Sequence, residues 1–200
     1  MLDKKQKEIL HLYWLIGYSF IFSSVAYMLS FLFLPDVSTD PPVISDPYMT
    51  LMKIQTVLLI LASTTYGIKL SEEKKTLASA GFTMLAFSQG VLYIITTFTF
   101  NSNEKLEEAY RMLSACLYLQ IPAIIIISFY HGFPRLLNIT AVVSMIPFII
   151  EYLAFMSTGR MSNPILAIDA VGNILMNTVV AAWGVIILKG AKQEIQKHST

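Results

Sequence analysis

Residues 165–188 read ILAIDAVGNILMNTVVAAWGVIIL, 24 positions with one charged side chain, Asp169. A helix of that length rises about 36 Å, enough to cross hydrocarbon roughly 30 Å thick. Working back through the chain, five more runs of this kind occur at 10–34, 48–70, 76–100, 112–130 and 136–156. None alternates polar with apolar in the manner of a barrel strand: Val57-Leu58-Leu59-Ile60-Leu61 and Ile124-Ile125-Ile126-Ile127 are continuous. The composition agrees, with 55% apolar residues, 14% charged residues and a mean hydropathy of +0.62. A water-soluble domain needs more charged surface than that. The expected fold is all-α, a polytopic transmembrane bundle of six helices forming a single domain over residues 1–200.

The breaks between runs carry turn and cap chemistry. Pro35-Asp36 ends the first run and Asp40-Pro41-Pro42 keeps the first loop extended. Ser71-Glu72-Glu73 is a tight polar link, and Gly132-Phe133-Pro134 is a turn at the interface with Arg135 as its anchor. Ser102 or Asn103 caps the amphipathic stretch 104–111, and Ser162-Asn163-Pro164 opens the last helix. The first run is too long for a cleaved leader, and the sequon Asn138-Ile139-Thr140 lies where no glycan is attached, so it reads as chance. Gly17-Tyr18-Ser19 is weakly echoed by Gly81-Phe82-Thr83, a hint of stacked helix hairpins.

Lysine and arginine set the orientation. With the N-terminus inside, the inner segments hold Lys4, Lys5, Lys7, Lys69, Lys74, Lys75, Arg135, Lys189, Lys192 and Lys197; the outer ones hold only Lys105, Arg111 and Arg160. Both termini are therefore expected in the cytoplasm, and the membrane is expected to be the plasma (inner) membrane.

Three ionisable residues fall inside spans, where each costs about 2.5–3.5 kcal/mol on insertion scales. Lys53 and Glu151 sit about 8 Å from the outer ends of their spans and Asp169 about 6 Å. At 100° per residue, Thr140, Ser144, Pro147 and Glu151 share a face of the fifth span, and Asp169, Asn173, Asn177 and Gly184 share one of the sixth. Lys53, Thr64 and Gly67 share a face of the second; Gln89, Tyr93 and Thr96 of the third; Cys116, Gln120 and Ala123 of the fourth. The first span shows small residues instead, Ser19, Ser23, Ala26 and Ser30, a close-packing face. Pro122 and Pro147 lie near mid-span as candidate hinges, each freeing a backbone carbonyl.

These residues point to a polar, net-acidic site in the outer half of the bundle. Glu151 and Asp169 would be its acids, Lys53 their partner, and Gln89, Gln120, Asn173 and Asn177 its hydrogen-bonding lining. The function expected is a transporter, channel or solute-binding subunit for a cation, a proton or an amine-bearing solute. Two other readings stay open: a scaffold subunit whose polar stripes only hold helices together, and a membrane-embedded enzyme using the paired acids on a lipid-like substrate. No hydrolase, zincin, nucleotide or dinucleotide motif appears, so no catalytic residue, metal or other cofactor is expected. A net charge of +1 without a basic cluster excludes nucleic acid. The lipid bilayer is the first expected partner; a second copy or another membrane subunit is left open.

Overall fold

The computed structural model describes residues 4–33, 45–98, 106–158 and 163–197. The first-loop prolines, the proposed cap at Ser102 or Asn103, and Ser162, Lys105 and Arg160 lie outside them. The described chain is all helix: α1 Lys4–Ser30 with a 3-10 turn Phe31–Phe33, α2 Asp46–Glu72, α3 Thr76–Phe98, α4 Leu106–Ser128, α5 Arg135–Val143, α6 Met145–Thr158 and α7 Asn163–Lys197. Five stretches are long and apolar enough to cross a membrane, Gln6–Phe33, Asp46–Glu72, Thr76–Ile95, Arg135–Ala154 and Ala170–Ala191. The described apolar part of α4, Cys116–Ser128, is a shorter apolar helix beside them. The chain is thus a helical membrane bundle.

The expected fifth span is present as one apolar stretch, Arg135–Ala154, with its helix interrupted between α5 and α6. The break falls at Ser144, just after Val143, whose carbonyl is four residues before Pro147 and loses its donor to the ring. Pro122, by contrast, sits inside an unbroken α4.

The helices form a closed ring. Each span packs on its neighbours in sequence, and α7 returns to pack along α1. Hydrophobicity does not drive such contacts in lipid; close approach does, and small residues permit it. A Cβ on Gly184 would lie 2.5 Å from the Gly17 carbonyl oxygen, and one on Gly172 2.8 Å from Pro147 Cβ. Gly81 is as close to Ile127, and Gly67 sits against Thr83 and the Ser79 carbonyl. Ser19, Ser23, Ala26 and Ser30 are all buried, as their spacing predicts, and Ser23 Oγ donates to the Gln55 carbonyl of α2 at 3.1 Å. The echo between α1 and α3 does not extend to the packing: Tyr18 is exposed and Phe82 is fully buried.

We call the end at which α1 begins and α7 ends the near face. There α2 closes with backbone bonds from Lys74 N–H to the Ser71 carbonyl (2.9 Å) and from Lys75 N–H to the Leu70 carbonyl (2.8 Å). This paired pattern requires a left-handed residue between the helix end and Lys75, and Lys74 takes it with φ 60°. Glycine is the residue that adopts this conformation without a Cβ penalty. Lys74→Gly is therefore expected to stabilise the detergent-solubilised chain by about 0.5–1 kcal/mol. Thermal unfolding checks this; an unchanged or lower melting temperature counts against the strain.

Candidate functional site

Most hydroxyls in the bundle are satisfied by their own helix. Ser24 Oγ donates to the Phe20 carbonyl (3.1 Å), Thr56 Oγ1 to Met52 (2.8 Å), Thr178 Oγ1 to Ile174 (2.8 Å) and Ser144 Oγ to Ala141 (2.7 Å). Where water is absent, a Ser or Thr falls back on the carbonyl three or four residues earlier. Such groups need no ligand.

Three carboxamides differ: Asn138, at the near face, leaves its buried Oδ1 without a donor, and two others do so deeper in the bundle. Gln89 on α3 is 3% exposed and Asn177 on α7 is 5% exposed. Asn177 Nδ2 donates to the Asn173 carbonyl at 2.9 Å, which turns Oδ1 the other way. Asn177 Oδ1 and Gln89 Oε1 are both buried without a donor. Leaving a buried acceptor unmatched costs about 1–3 kcal/mol.

Their depth follows from an aromatic layer. Phe82 of α3 meets Trp183 of α7 edge-on at 5.4 Å, and Phe20 of α1 and Tyr66 of α2 lean on Phe82 at 6.1 and 4.9 Å. Phe133, from the turn after α4, stacks on Trp183 at 5.6 Å and 19°. Gln89 is seven residues beyond Phe82, and Asn177 six residues before Trp183 on a helix running the other way, so both stand about 10 Å past the aromatic layer. Ser63 Oγ on α2, one turn from Tyr66, is also buried and unmatched.

On the near side of the aromatic layer is a cavity of about 370 Å³, lined by Tyr13, Tyr66, Lys69, Glu73, Lys75 and Tyr130 among others. Glu73 binds one lysine with each oxygen, Lys69 at 2.9 Å and Lys75 at 2.7 Å. Lys69 also lies 4.4 Å over the Tyr13 ring, and Lys75 Nζ is 3.2 Å from Tyr130 Oη. The cluster ties the α2–α3 turn to α1 and to the end of α4. Partial burial pushes the Glu73 carboxyl up, but the two lysines outweigh it and hold the group below the usual glutamate range. Burial likewise works against the charged form of Lys75, and the bonds to Glu73 and Tyr130 outweigh it, raising its pKa. A carboxylate depressed in the fold contributes stability that is complete above its unfolded pKa and is lost as pH falls through the folded value. Acidification through that window is expected to lower the melting temperature, and Glu73→Gln to remove that part of the pH dependence. With Glu73 30% exposed, the effect is on the order of 1 kcal/mol or less. Identical acid profiles for the two proteins would count against it.

The remaining expected site residues are spread more widely. Lys53, Gln120, Glu151 and Asn173 are half-buried, and Asp169 is placed on α7 with its side chain outside the described residues. Asn173 and Asn177 are brought together, as are the helices of Gln89 and Gln120, joined by Ser88 Oγ donating to the Cys116 carbonyl at 3.1 Å. Glu151 adjoins Tyr152, whose hydroxyl is 3.4 Å from that of Tyr118 and holds α6 to α4. Lys53 and Glu151 are on helices that do not pack together: among the described residues α2 meets α1 and α3, and α6 meets α4, α5 and α7. Of the face predicted from Lys53, Gly67 is buried against α3, Lys53 is half-buried and Thr64 is exposed; the packed side of α2 also carries Gln55, Thr56 and Ser63. Sequence reasoning missed the Lys69–Glu73–Lys75 cluster, Phe133 and Asn138. Asn138 is buried, and its Nδ2 donates to the carbonyls of Ser128 and Tyr130, both at 3.0 Å, capping the end of α4. Among the described residues no three His, Cys, Asp or Glu side chains group closely enough to hold a metal ion. Comparison with known protein families, with curated proteins and with solved structures finds no match to this chain.

Proposed function

We propose that the chain is a small multi-pass transporter, channel or solute-binding subunit, with a path for a cation or an amine-bearing solute along the bundle axis. The observation that carries this reading is the pair of buried, unmatched acceptors Gln89 Oε1 and Asn177 Oδ1. Both want a donor, which an ammonium group, a hydrated cation or water provides. Gln89 lies seven residues from Phe82 on the same face of α3, and Asn177 lies seven residues from Gly184 on the face of α7 turned to α1, both between the far half and the aromatic layer. Glu151 and Asp169, with Lys53, give the far half a net negative charge that favours the same class of solute. In this reading the aromatic layer is the closed gate, and the near-face cavity is the vestibule behind it. The lysine and arginine distribution supports an orientation with the near face and both termini in the cytoplasm, and the reading takes the membrane to be the plasma membrane.

A scaffold reading is favoured by the self-satisfied hydroxyls, which explain most of the polar stripes without a solute. The two readings separate on shape-matched apolar replacements. Asn177→Leu and Gln89→Met remove an unmatched acceptor, so neither is expected to lower the melting temperature. In liposomes loaded with a panel of monovalent cations and small amines, each is expected to reduce flux about ten- to a hundredfold, the value of a hydrogen bond to a charged group. Glu151→Gln is expected to alter the pH dependence of that flux. Unchanged flux in all three variants, or no flux of any solute in the parent, sinks the transport reading.

A further inference from the structure

We propose that the groove between α3 and α4 at the near face binds one anionic phospholipid. The groove encloses about 600 Å³. Leu77 at the start of α3, and Ile126 and Phe129 at the end of α4, give it an apolar wall; Lys74, Lys75 and His131 stand at its mouth. Leu77 is 60% exposed and Phe129 64% exposed, so the wall is open to an acyl chain. Lys75 is held by Glu73, but among the described residues neither Lys74 nor His131 has an acidic partner. Lys74 also occupies the left-handed position at which glycine is favoured, so its ammonium is presented at the groove at a cost to the fold.

The occupant follows from the two halves together. A free phosphate satisfies the cations and leaves the apolar wall uncovered. A zwitterionic lipid covers the wall and brings its own cation to Lys74. A lipid of net negative charge matches both, with its phosphate at Lys74 and His131 and one chain along Leu77, Ile126 and Phe129. Bound there, it joins the α2–α3 turn to the α4–α5 turn. The inference does not depend on the transport reading, since a scaffold needs its helices held as much as a carrier does.

The test uses the full chain in a neutral detergent, with phosphatidylglycerol or phosphatidylcholine added. Native mass spectrometry counts retained lipid, and thermal unfolding reads its effect. Phosphatidylglycerol is expected to be retained at one per chain and to raise the melting temperature; phosphatidylcholine is expected to do neither. Lys74→Gln should weaken phosphatidylglycerol retention roughly fivefold, the effect of one cation beside an anionic headgroup. Phe129→Ser should weaken it through the chain-binding wall, and Lys189→Gln, on the same face but outside the groove, should leave it unchanged. Equal retention of the two lipids, equal loss in Lys74→Gln and Lys189→Gln, or displacement of the lipid by inorganic phosphate alone overturns the proposal.

Discussion

Gly184→Ala is expected to destabilise the bundle by about 2–3 kcal/mol. The new Cβ would lie 2.5 Å from the Gly17 carbonyl oxygen, 2.9 Å from Ile21 Cγ1 and 3.1 Å from Phe20 Cβ. A carbonyl in the middle of a helix cannot turn aside, so α1 and α7 must separate along their seam. Separation forfeits the dispersion contacts that hold helices together in lipid, including those of Phe20 with Trp183. Gly17→Ala meets Leu188 Cγ at 2.5 Å, the branch of a side chain that can change rotamer, and should cost less. Gly90 and Gly190 have nothing within 4 Å of an added Cβ. There alanine should stabilise, by up to about 1 kcal/mol from helix propensity. One chemical change at four sites thus carries opposite signs, and thermal unfolding in detergent reads them. Four similar melting temperatures would mean that close approach is not what closes the ring.

Phe133→Ala is expected to cost about 3–5 kcal/mol, the usual loss for a buried aromatic residue. Phe133 is 4% exposed although it belongs to the six-residue connection 129–134. Besides stacking on Trp183 it meets Tyr130 edge-on at 5.3 Å and lies 6.2 Å from both Tyr66 and Phe82. Truncation leaves a hole where helices α2, α3 and α7 meet, and the turn loses its only deep anchor among these rings. Phe133→Leu should recover about half of the loss by refilling volume without the ring contacts. Under the transport reading the same truncation opens the gate, so Phe133→Ala vesicles should leak small cations that parent vesicles retain. A melting temperature within error of the parent would show that the turn is not anchored through this ring.

What could be read from sequence divides along physical lines. The spans were readable because hydrocarbon thickness sets a length that few soluble segments imitate. The small face of α1 and the asparagine face of α7 were readable because helical periodicity survives burial. The face of α2 was readable only at Gly67; Gln55, Thr56 and Ser63 pack beside it because close packing follows small and compact residues rather than the charge of Lys53. Phe133 was hidden by its flanking Gly132 and Pro134, which mark a turn but say nothing of where a ring points. The Glu73 cluster was hidden because its members come from a turn that reads as solvated, and Tyr13 and Tyr130 join it only in three dimensions. Asn138 looked like a chance sequon because capping of a helix end ten residues away leaves no local signature. The break at Ser144 is the exception among local details, a direct result of Pro147.

The ring also bears on how the bundle is made. Among the described residues, with α5 and α6 taken as one span, every seam except one joins spans that follow each other in the chain, so each can form as the newer span leaves the ribosome and enters the bilayer. The seam of Gly17 against Gly184 must wait for the last span. Until then the notch at Gly17 has lipid against it instead of Gly184, so a chain that stops short of the last span keeps α1 open along that side.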